Sequence, residues 1–538
     1  MTASPPPWPL AGWDYVAEGG ANVVVTHPFL AGSVLRLAKR GPNPPQAVHR
    51  AFLARVLGPR LAAAAAPRIG HDRSASAATG LKLVDPGELL PIAPTVLAAI
   101  AAEIAEHRPA SRLHQPLDTA AGTWAWKQKD HRCPPANERT VAGSADTVAP
   151  SASATITAPA PAPAPSAAVI CVELKPKCGY LSLLSPGNST STAPLVTTLA
   201  ACRFCTQQRL KHLTQRTPVS RYCPLDLFSD ELVRVDAAIA NLLATPQNNL
   251  RIFAGRTLLY DQAIRDGTGY RPAQVEDSLL RCLNPARPPR PSSSVVAAAA
   301  AVHSPPTAAA AADAAASPTA VAASAAEIPS LPDGHAGFEL LRRVLSRVLC
   351  GTRVLDQIRQ LQRGCISDVE TVRWHYDQLA ALASSTADPT TGLAQMDGVL
   401  WSAALRDCSM ETLRAGVTVP ISHADSVAVL QNFVCGMTAN DCSVMISLHP
   451  VPASRHNTRT GAEPPCPSAA SAEPPGAADI RVTDPVTGAQ FTAEIGIVDG
   501  DLKRCGRAPT SALAAASAPR HDRLRLCRDC AGYAPPTL

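Results

Sequence analysis

A chain of 538 residues is long enough for two or three domains of ordinary size, yet 52 prolines and only 4% aromatic residues mean that part of it cannot build a packed core. A net charge of +6 does not demand nucleic acid, the sparse aromatics leave no visible stacking platform, and no unbroken apolar run is long enough to cross a bilayer. The start, Met-Thr-Ala-Ser-Pro-Pro-Pro, lacks a signal-peptide pattern, so the expectation is a soluble intracellular monomer, cytoplasmic or nuclear, with no nucleic-acid or membrane partner.

The first motif is strand, turn, strand. Trp13-Asp14-Tyr15-Val16 runs through Glu18-Gly19-Gly20-Ala21-Asn22 into Val23-Val24-Val25. Glycines at such a turn let the backbone of Gly19, Gly20, Ala21 and Asn22 approach a phosphate closely. No Gly-Lys-Ser/Thr follows and no helix begins there, which excludes a Walker loop. The next strand, Val34-Leu35-Arg36-Leu37, sets Arg36 opposite its apolar neighbours, either as a surface arginine or as a cation for nucleotide phosphates. Residues 45–66 and 93–107 have helical periodicity. Residues 134–166 are a Pro/Ala/Ser/Thr tract, expected to be a disordered insertion.

An apolar strand follows, Ala167-Ala168-Val169-Ile170-Cys171-Val172, and it ends in Glu173-Leu174-Lys175-Pro176-Lys177. Charged residues at the end of a buried strand make sense if they face a polar cleft. Two lysines, with a proline fixing the backbone between them, suit a ligand that carries several phosphates. A helix over 202–213 places Arg203, Gln207 and Lys211 in one stripe, because steps of four residues share a face. A second helix is expected over 231–244, capped by Ser229 or Asp230, and it stops at Pro246. Gln247-Asn248-Asn249 then turns into a strand, Leu250-Arg251-Ile252-Phe253. A side-chain amide can serve Mg²⁺ through its oxygen or a phosphate through its nitrogen.

An Ala/Pro tract fills 284–330, helices resume over about 337–383, and a helix over 424–438 leads into Asn440-Asp441-Cys442-Ser443-Val444-Met445-Ile446-Ser447. Residues 451–480 read as a third insertion. The last motif, Ile495-Gly496-Ile497-Val498-Asp499-Gly500-Asp501-Leu502-Lys503, puts an acid at a strand's end, where kinase-like folds hold Mg²⁺. Sixteen scattered cysteines are expected to be mostly free thiols. A zinc site uniting Cys202/Cys205 with Cys527/Cys530 is the less favoured reading, because the first pair falls inside a probable helix.

Position by position, Glu173-Leu174-Lys175-Pro176-Lys177 resembles the Glu-x-Lys-Pro-Lys motif of the inositol-pentakisphosphate 2-kinase family. So do Arg108-Pro-Ala-Ser-Arg112 with Asp118-Thr119, Arg203-Phe-x-x-x-Gln-x-x-Lys211, Pro224-Leu-Asp-Leu-Phe-Ser229, Thr245-Pro-Gln-Asn-Asn-x-Arg251, Asp441-Cys-Ser, and Asp499 with Lys503 and Arg507. The family's tyrosine after the last arginine is Ser511 here, and its lysine before the aspartate is Asn440.

The resemblance implies an α+β, two-lobed kinase-like fold with an ATP cleft between a small N-terminal and a larger C-terminal lobe. The N-terminal lobe would be 1–133 and the C-terminal lobe 167–283, 331–450 and 481–510, with a tail over 511–538. It also implies ATP and Mg²⁺ as cofactors and the 2-hydroxyl of inositol pentakisphosphate as acceptor. The alternatives are another positional specificity or a non-catalytic binder of ATP or inositol phosphate.

By the same resemblance Lys175 and Asp441 are catalytic. ATP falls to the glycine hairpin, Arg36, Asp130, His131, Glu173, Lys175, Arg251 and Asp499, and metal to Asp499 and Asn249. Arg112, Lys177, Lys211, Asn248, Lys503 and Arg507 take the acceptor. Some family members hold zinc through two histidines and a Cys-x-x-Cys. This chain keeps His375 and His423 with the lone Cys408 between them, so that zinc is not expected.

Overall fold

The computed structural model describes residues 8–41, 46–64, 82–120, 123–133, 169–181, 202–215, 218–267, 271–284, 335–364, 372, 374–375, 421–451 and 480–499, of which 421–425 and 427 are described by backbone alone. These residues are mixed helix and sheet, with two antiparallel sheets among them.

The first sheet has five strands in the order β1-β2-β3-β5-β4: β1 (Asp14–Glu18), β2 (Asn22–Thr26), β3 (Ser33–Ala38), β4 (Glu88–Pro91) and β5 (Trp124–Lys129). Between β3 and β4 run α1 (Gln46–Phe52), a π-helical turn (Leu53–Leu57) and α2 (Gly58–Ala64). The helix α3 (Pro94–Glu103) packs Val96, Leu97 and Ile100 on Val23, Val25, Leu35 and Leu37, a small core of its own. Those strand residues alternate because a strand turns successive side chains to opposite faces.

The second sheet has six strands in the order β10-β11-β9-β6-β7-β8. Its centre is β6 (Ile170–Leu174), flanked by β7 (Leu250–Ala254) and later by β9 (Ser443–Pro450). Before β7 come α4 (Arg203–Gln215), α5 (Pro224–Leu227) and α6 (Leu232–Ala244). After it come β8 (Thr257–Tyr260), α7 (Gln262–Asp266), α8 (Pro272–Leu283), α9 (Ala336–Thr352), α10 (Val354–Arg363) and α11 (Ile421–Ala439). The hairpin β10 (Ile480–Thr483) and β11 (Gln490–Val498) completes the sheet on the outer side of β9.

Period-two alternation splits this sheet into an apolar face and a polar one. Val172 and Leu174 share a face with Leu250, Ile252, Val444, Ile446, Ile495 and Ile497, all in the main core beneath α6, α8 and α9. On α6, Val235, Ile239 and Leu242 point inward together at helical spacing. Glu173, Arg251, Ser443 and Ser447 lie on the opposite face, toward the first sheet. That asymmetry places the site.

Several contacts stitch the sheets together, two of them hydrogen bonds to backbone carbonyls. Ile497 donates its backbone N–H to Leu83 O, and the Ser447 hydroxyl bonds His131 O. A Cβ at Gly496 would sit 2.1 Å from the His131 ring, so only glycine fits there.

Two local expectations are corrected. The helix α6 starts after Glu231, which makes no side-chain cap; the Ser229 hydroxyl instead accepts the Glu231 N–H one turn earlier. Cys202 precedes α4 rather than lying inside it. Its sulfur, with those of Cys205 and Cys223, forms a group within 4.8 Å, the one His/Cys/Asp/Glu cluster of metal-binding spacing among the described residues. Three thiols are three-quarters of a tetrahedral zinc set. Cys408 and the Cys527/Cys530 pair lie outside the described residues, as do the three low-complexity tracts apart from their margins. His375 Nδ1 pairs with the Ser426 hydroxyl at 2.9 Å.

Candidate active site

The site begins with register. Glu173 on β6 stands directly opposite Arg251 on β7, and their side chains meet at 3.4 Å across the polar face. One strand step beyond the sheet, the backbone of Lys175 hydrogen-bonds Asn249 O at 2.8 Å, which keeps the 175–177 segment in line with β7. Lys175 Nζ then reaches Asp499 Oδ2 at 3.1 Å and stays 3.9 Å from Glu173 Oε1. Lys177 Nζ lies 3.3 Å from Asp441 Oδ1, at the turn between α11 and β9. The two lysines therefore engage two acids that stand 324 and 264 residues further along the chain.

The backbone is held in unusual shape here. Lys177 has φ +63° and Asp499 φ +57°, and Gln247, before the two asparagines, has φ +50°. Non-glycine residues in the left-handed region cost of order 1 kcal/mol or more and persist where the surroundings over-determine them. The surroundings of Lys177 do so. Gln362, fully buried on α10, donates to Lys177 O at 2.7 Å and Ala439 O at 3.1 Å, and accepts from Gly179 N at 2.8 Å. The Tyr222 hydroxyl bonds Pro176 O at 2.8 Å, and the Phe228 ring occupies the space a Cβ on Gly179 would need, 2.4 Å away. The Pro224–Ser229 motif is thus a buttress for the lysine segment.

The electrostatics follow from crowding. Burial pushes the Asp499 carboxyl up, but the charges of Lys175 and Arg36 and the bonds from Lys175 and Ser443 outweigh it and hold it at about 2. Burial pulls Lys175 down; Asp499 and Glu173 more than offset that and raise it above the ordinary lysine value. Lys177 is lowered, by burial first, only partly relieved by Asp441, and pressed further by Lys175 and Lys211. Lys211 therefore stands within electrostatic reach of Lys177, on the exposed stripe it shares with Arg203 and Gln207 along α4.

Arg36 comes from the other sheet. It is 7% exposed, lies 5.3 Å over the Trp126 ring, and brings Nη2 to 3.9 Å from Asp499 Oδ1. Burial raises the Tyr15 pKa while Arg108, Arg251 and Arg112 pull it down, so Arg112 and Arg251 share the neighbourhood of one phenol. Arg112 is half-buried at the end of a 3₁₀ turn, Ala110–Arg112. Gly19 and Gly20 are exposed at the β1–β2 turn, and a Cβ on either would meet nothing within 4 Å. Asn22 is buried at the start of β2. Asn248 is exposed in the turn, whereas Asn249 is buried and its Oδ1 has no hydrogen-bond partner. Lys503 and Arg507 lie outside the described residues.

Asp130 and His131, expected beside the nucleotide, have buried side chains. Asp130 is 3% exposed; it pairs with Arg132 at 2.8 Å and Arg256 at 3.6 Å, and its N–H is spent on Gly32 O. His131 is buried against Gly496, and burial lowers its pKa. The reason is topological: the two residues are the exit from β5 toward the second sheet, so they are packed as a joint.

Sequence reading also missed residues. Ser443 Oγ lies 3.0 Å from Glu173 Oε1 and 2.9 Å from Asp499 Oδ2. Its position two residues past Asp441, with Met445 and Ser447 on the same face, was the available signal. Gln362 had none, since its partner carbonyls are distant in sequence.

Alternating ammonium, guanidinium and carboxylate groups on one sheet face, with strained backbone, are the equipment of a protein that holds a small polyanion. Residues 15–511 match the sequence model of the inositol-pentakisphosphate 2-kinase family, and the chain belongs to that family. An inositol-pentakisphosphate 2-kinase of Danio rerio is 40% identical over 120 residues, 22% of this chain and 23% of that protein. One of Oryza sativa subsp. indica is 26% identical over 286 residues, 50% of this chain and 57% of the relative. The Arabidopsis thaliana protein is 24% identical over 269 residues, covering 46% and 52%. The matched stretches thus span from under a quarter to just over half of these relatives. Among the described residues, no helix is long and apolar enough to cross a membrane.

Proposed function

We propose that this chain transfers the γ-phosphoryl group of ATP to the 2-hydroxyl of inositol 1,3,4,5,6-pentakisphosphate, giving the hexakisphosphate, in a cleft between two kinase-like lobes built on the two sheets. The observation that carries it is the meeting of Lys175 with Asp499 and of Lys177 with Asp441 on the polar face of the second sheet. A binder of ATP alone has no use for both pairs, and the family's relatives carry the name of this reaction.

The β1–β2 turn, Arg36 and Arg251 are suited to the nucleotide phosphates. Lys175 neutralises charge on the transferring group, which is where phosphoryl transfer needs help most. Asp441, 54% exposed and so open to a ligand, orients the acceptor hydroxyl and takes its proton as the new O–P bond forms and the bond to the ADP oxygen breaks. Lys177, Lys211, Arg112 and Asn248 hold acceptor phosphates, with Lys503 and Arg507 proposed for the same task.

The residues fit Mg²⁺. Glu173, Ser443 and Asp499 bring hard oxygens together, since the Ser443 hydroxyl touches both carboxylates, and oxygen is the ligand type Mg²⁺ takes. Asn249 adds a buried amide oxygen without a partner. Held by Asp499 and Asn249, Mg²⁺ would supply positive charge against the charge that develops on the transferring phosphoryl group.

The test is ATP consumption by the purified chain with and without inositol pentakisphosphate, followed by NMR of the product. Acceptor-dependent turnover with a new phosphate at position 2 is expected. A phosphate at another position, or nucleotide binding without turnover, would overturn the assignment.

A further inference from the structure

Beneath the glycine turn lies a group of buried charges that the proposed chemistry does not use. Glu18, the last residue of β1, and Lys39, just past β3, each have side chains 1% exposed, and Arg108 is 7% exposed. Lys39 Nζ lies 2.7 Å from Glu18 Oε2 and also donates to Gly19 O at 2.8 Å and Gln115 Oε1 at 3.2 Å. Arg108 Nη2 lies 2.8 Å from the same Glu18 Oε2 and faces Gln115 O at 2.8 Å and Arg112 O at 3.1 Å. One carboxylate oxygen therefore ties the phosphate-side turn to the segment that carries Arg112. Backbone bonds repeat the tie: Lys39 N–H to Ala21 O and Asp118 N–H to Ala38 O, each 2.9 Å.

The arrangement is incomplete in a specific way. A terminal guanidinium nitrogen has two hydrogens, yet Arg108 Nη2 faces three oxygens. Meanwhile Arg108 Nε and Glu18 Oε1 are both buried with no hydrogen-bond partner. A buried polar atom without a partner is costly. Both are relieved together if the guanidinium and the carboxylate meet as a two-bond fork, the geometry arginine is shaped for and lysine is not.

We propose that Glu18 and Arg108 are positioning residues that couple the two substrates. A phosphate drawn to Arg112 shifts the 108–115 segment toward the fork, and the fork sets the Gly19–Gly20 turn over the nucleotide. This rests on the proposed kinase reading, since it assigns the turn to ATP and Arg112 to the acceptor. Desolvated charge makes the link stiff: Glu18 cannot leave one cation without stranding it in the interior.

The experiment measures the affinity of a non-hydrolysable ATP analogue, with Mg²⁺, in the presence and absence of saturating inositol pentakisphosphate. Wild type should bind the nucleotide about 5-fold or more tightly with the acceptor present, the usual size of such coupling. Arg108→Lys keeps the positive charge but cannot form the fork. It should unfold within a few degrees of wild type while its coupling falls toward 1 and the KM for both substrates rises. Glu18→Gln should lose the coupling as well. Coupling retained in Arg108→Lys, or absent from wild type that binds both ligands, overturns the proposal while leaving the kinase reading intact. Failure of wild type to bind inositol pentakisphosphate at all overturns both.

Discussion

Lys175 illustrates how one side chain can be read both as structure and as chemistry. Its ammonium lies between Asp499 and Glu173, which raises its pKa, so it stays charged through the physiological range. As a purely structural group it would be replaceable at modest cost. As the cation on the transferring phosphoryl group it is not. Lys175→Ala should lower kcat about 10²–10³-fold, with a circular dichroism spectrum like that of wild type; a near-normal rate would end the assignment. Asp499, held at about 2, is ionised at any pH at which the enzyme would be assayed. Asp499→Ala should remove Mg²⁺-dependent turnover, and unchanged dependence of rate on Mg²⁺ concentration would count against a metal role.

At the scale of elements, α10 matters through a residue that never touches the ligand. Gln362 closes three hydrogen bonds to backbone groups at Lys177, Gly179 and Ala439. Gln362→Ala strands those groups in the interior, at about 1–3 kcal/mol each where water cannot enter. We expect a lower melting temperature together with a raised KM for the inositol phosphate, because Lys177 loses its left-handed support; a stability loss with both KM values unmoved would refute the second half. A different tie holds the β10–β11 hairpin to α9. Asp484 is fully buried and is bonded by Arg343 at 2.8 Å and by Thr487. Burial raises its pKa, but these bonds prevail and hold it at about 2. A carboxyl depressed on folding stabilises above its unfolded value near 3.9 and loses that contribution as pH falls toward 2. Acid unfolding of wild type between about pH 4 and 2 should therefore be steeper than that of Asp484→Asn, by about 2 kcal/mol in all; equal slopes would exclude Asp484 as the source.

Across the whole molecule, the site exists only where two sheets meet. Arg36 enters from the first sheet, Glu173, Arg251 and Ser443 from the second, and Lys211 from α4, which lies between β6 and β7 in the chain. The side proposed for the acceptor is the more exposed: Lys211 lies on an open helix face and affects Lys177 through charge. Lys211→Ala should raise the KM for inositol pentakisphosphate more than that for ATP, and the reverse pattern in steady-state kinetics would remove it from the acceptor site.

The order of short motifs along the chain, from the glycine turn through Glu173–Lys177 to Asp499, carried the resemblance that named the family and singled out Asp441, while the charges at Lys175, Lys177 and Asp499 stood out as the ends of apolar strands. The strands around Arg36 and Asp499 were legible by alternation and the strand before Glu173 by its unbroken apolar run. What sequence could not supply was who faces whom. The burial of Asp130 and His131 as a joint, the serine shared by two carboxylates, the glutamine that supports Lys177 and the convergence of Cys223 on Cys202 and Cys205 all depend on partners tens to hundreds of residues away. Only packing brings those partners together, since hydrogen bonds and ion pairs are decided by distances of a few ångströms that no local pattern encodes.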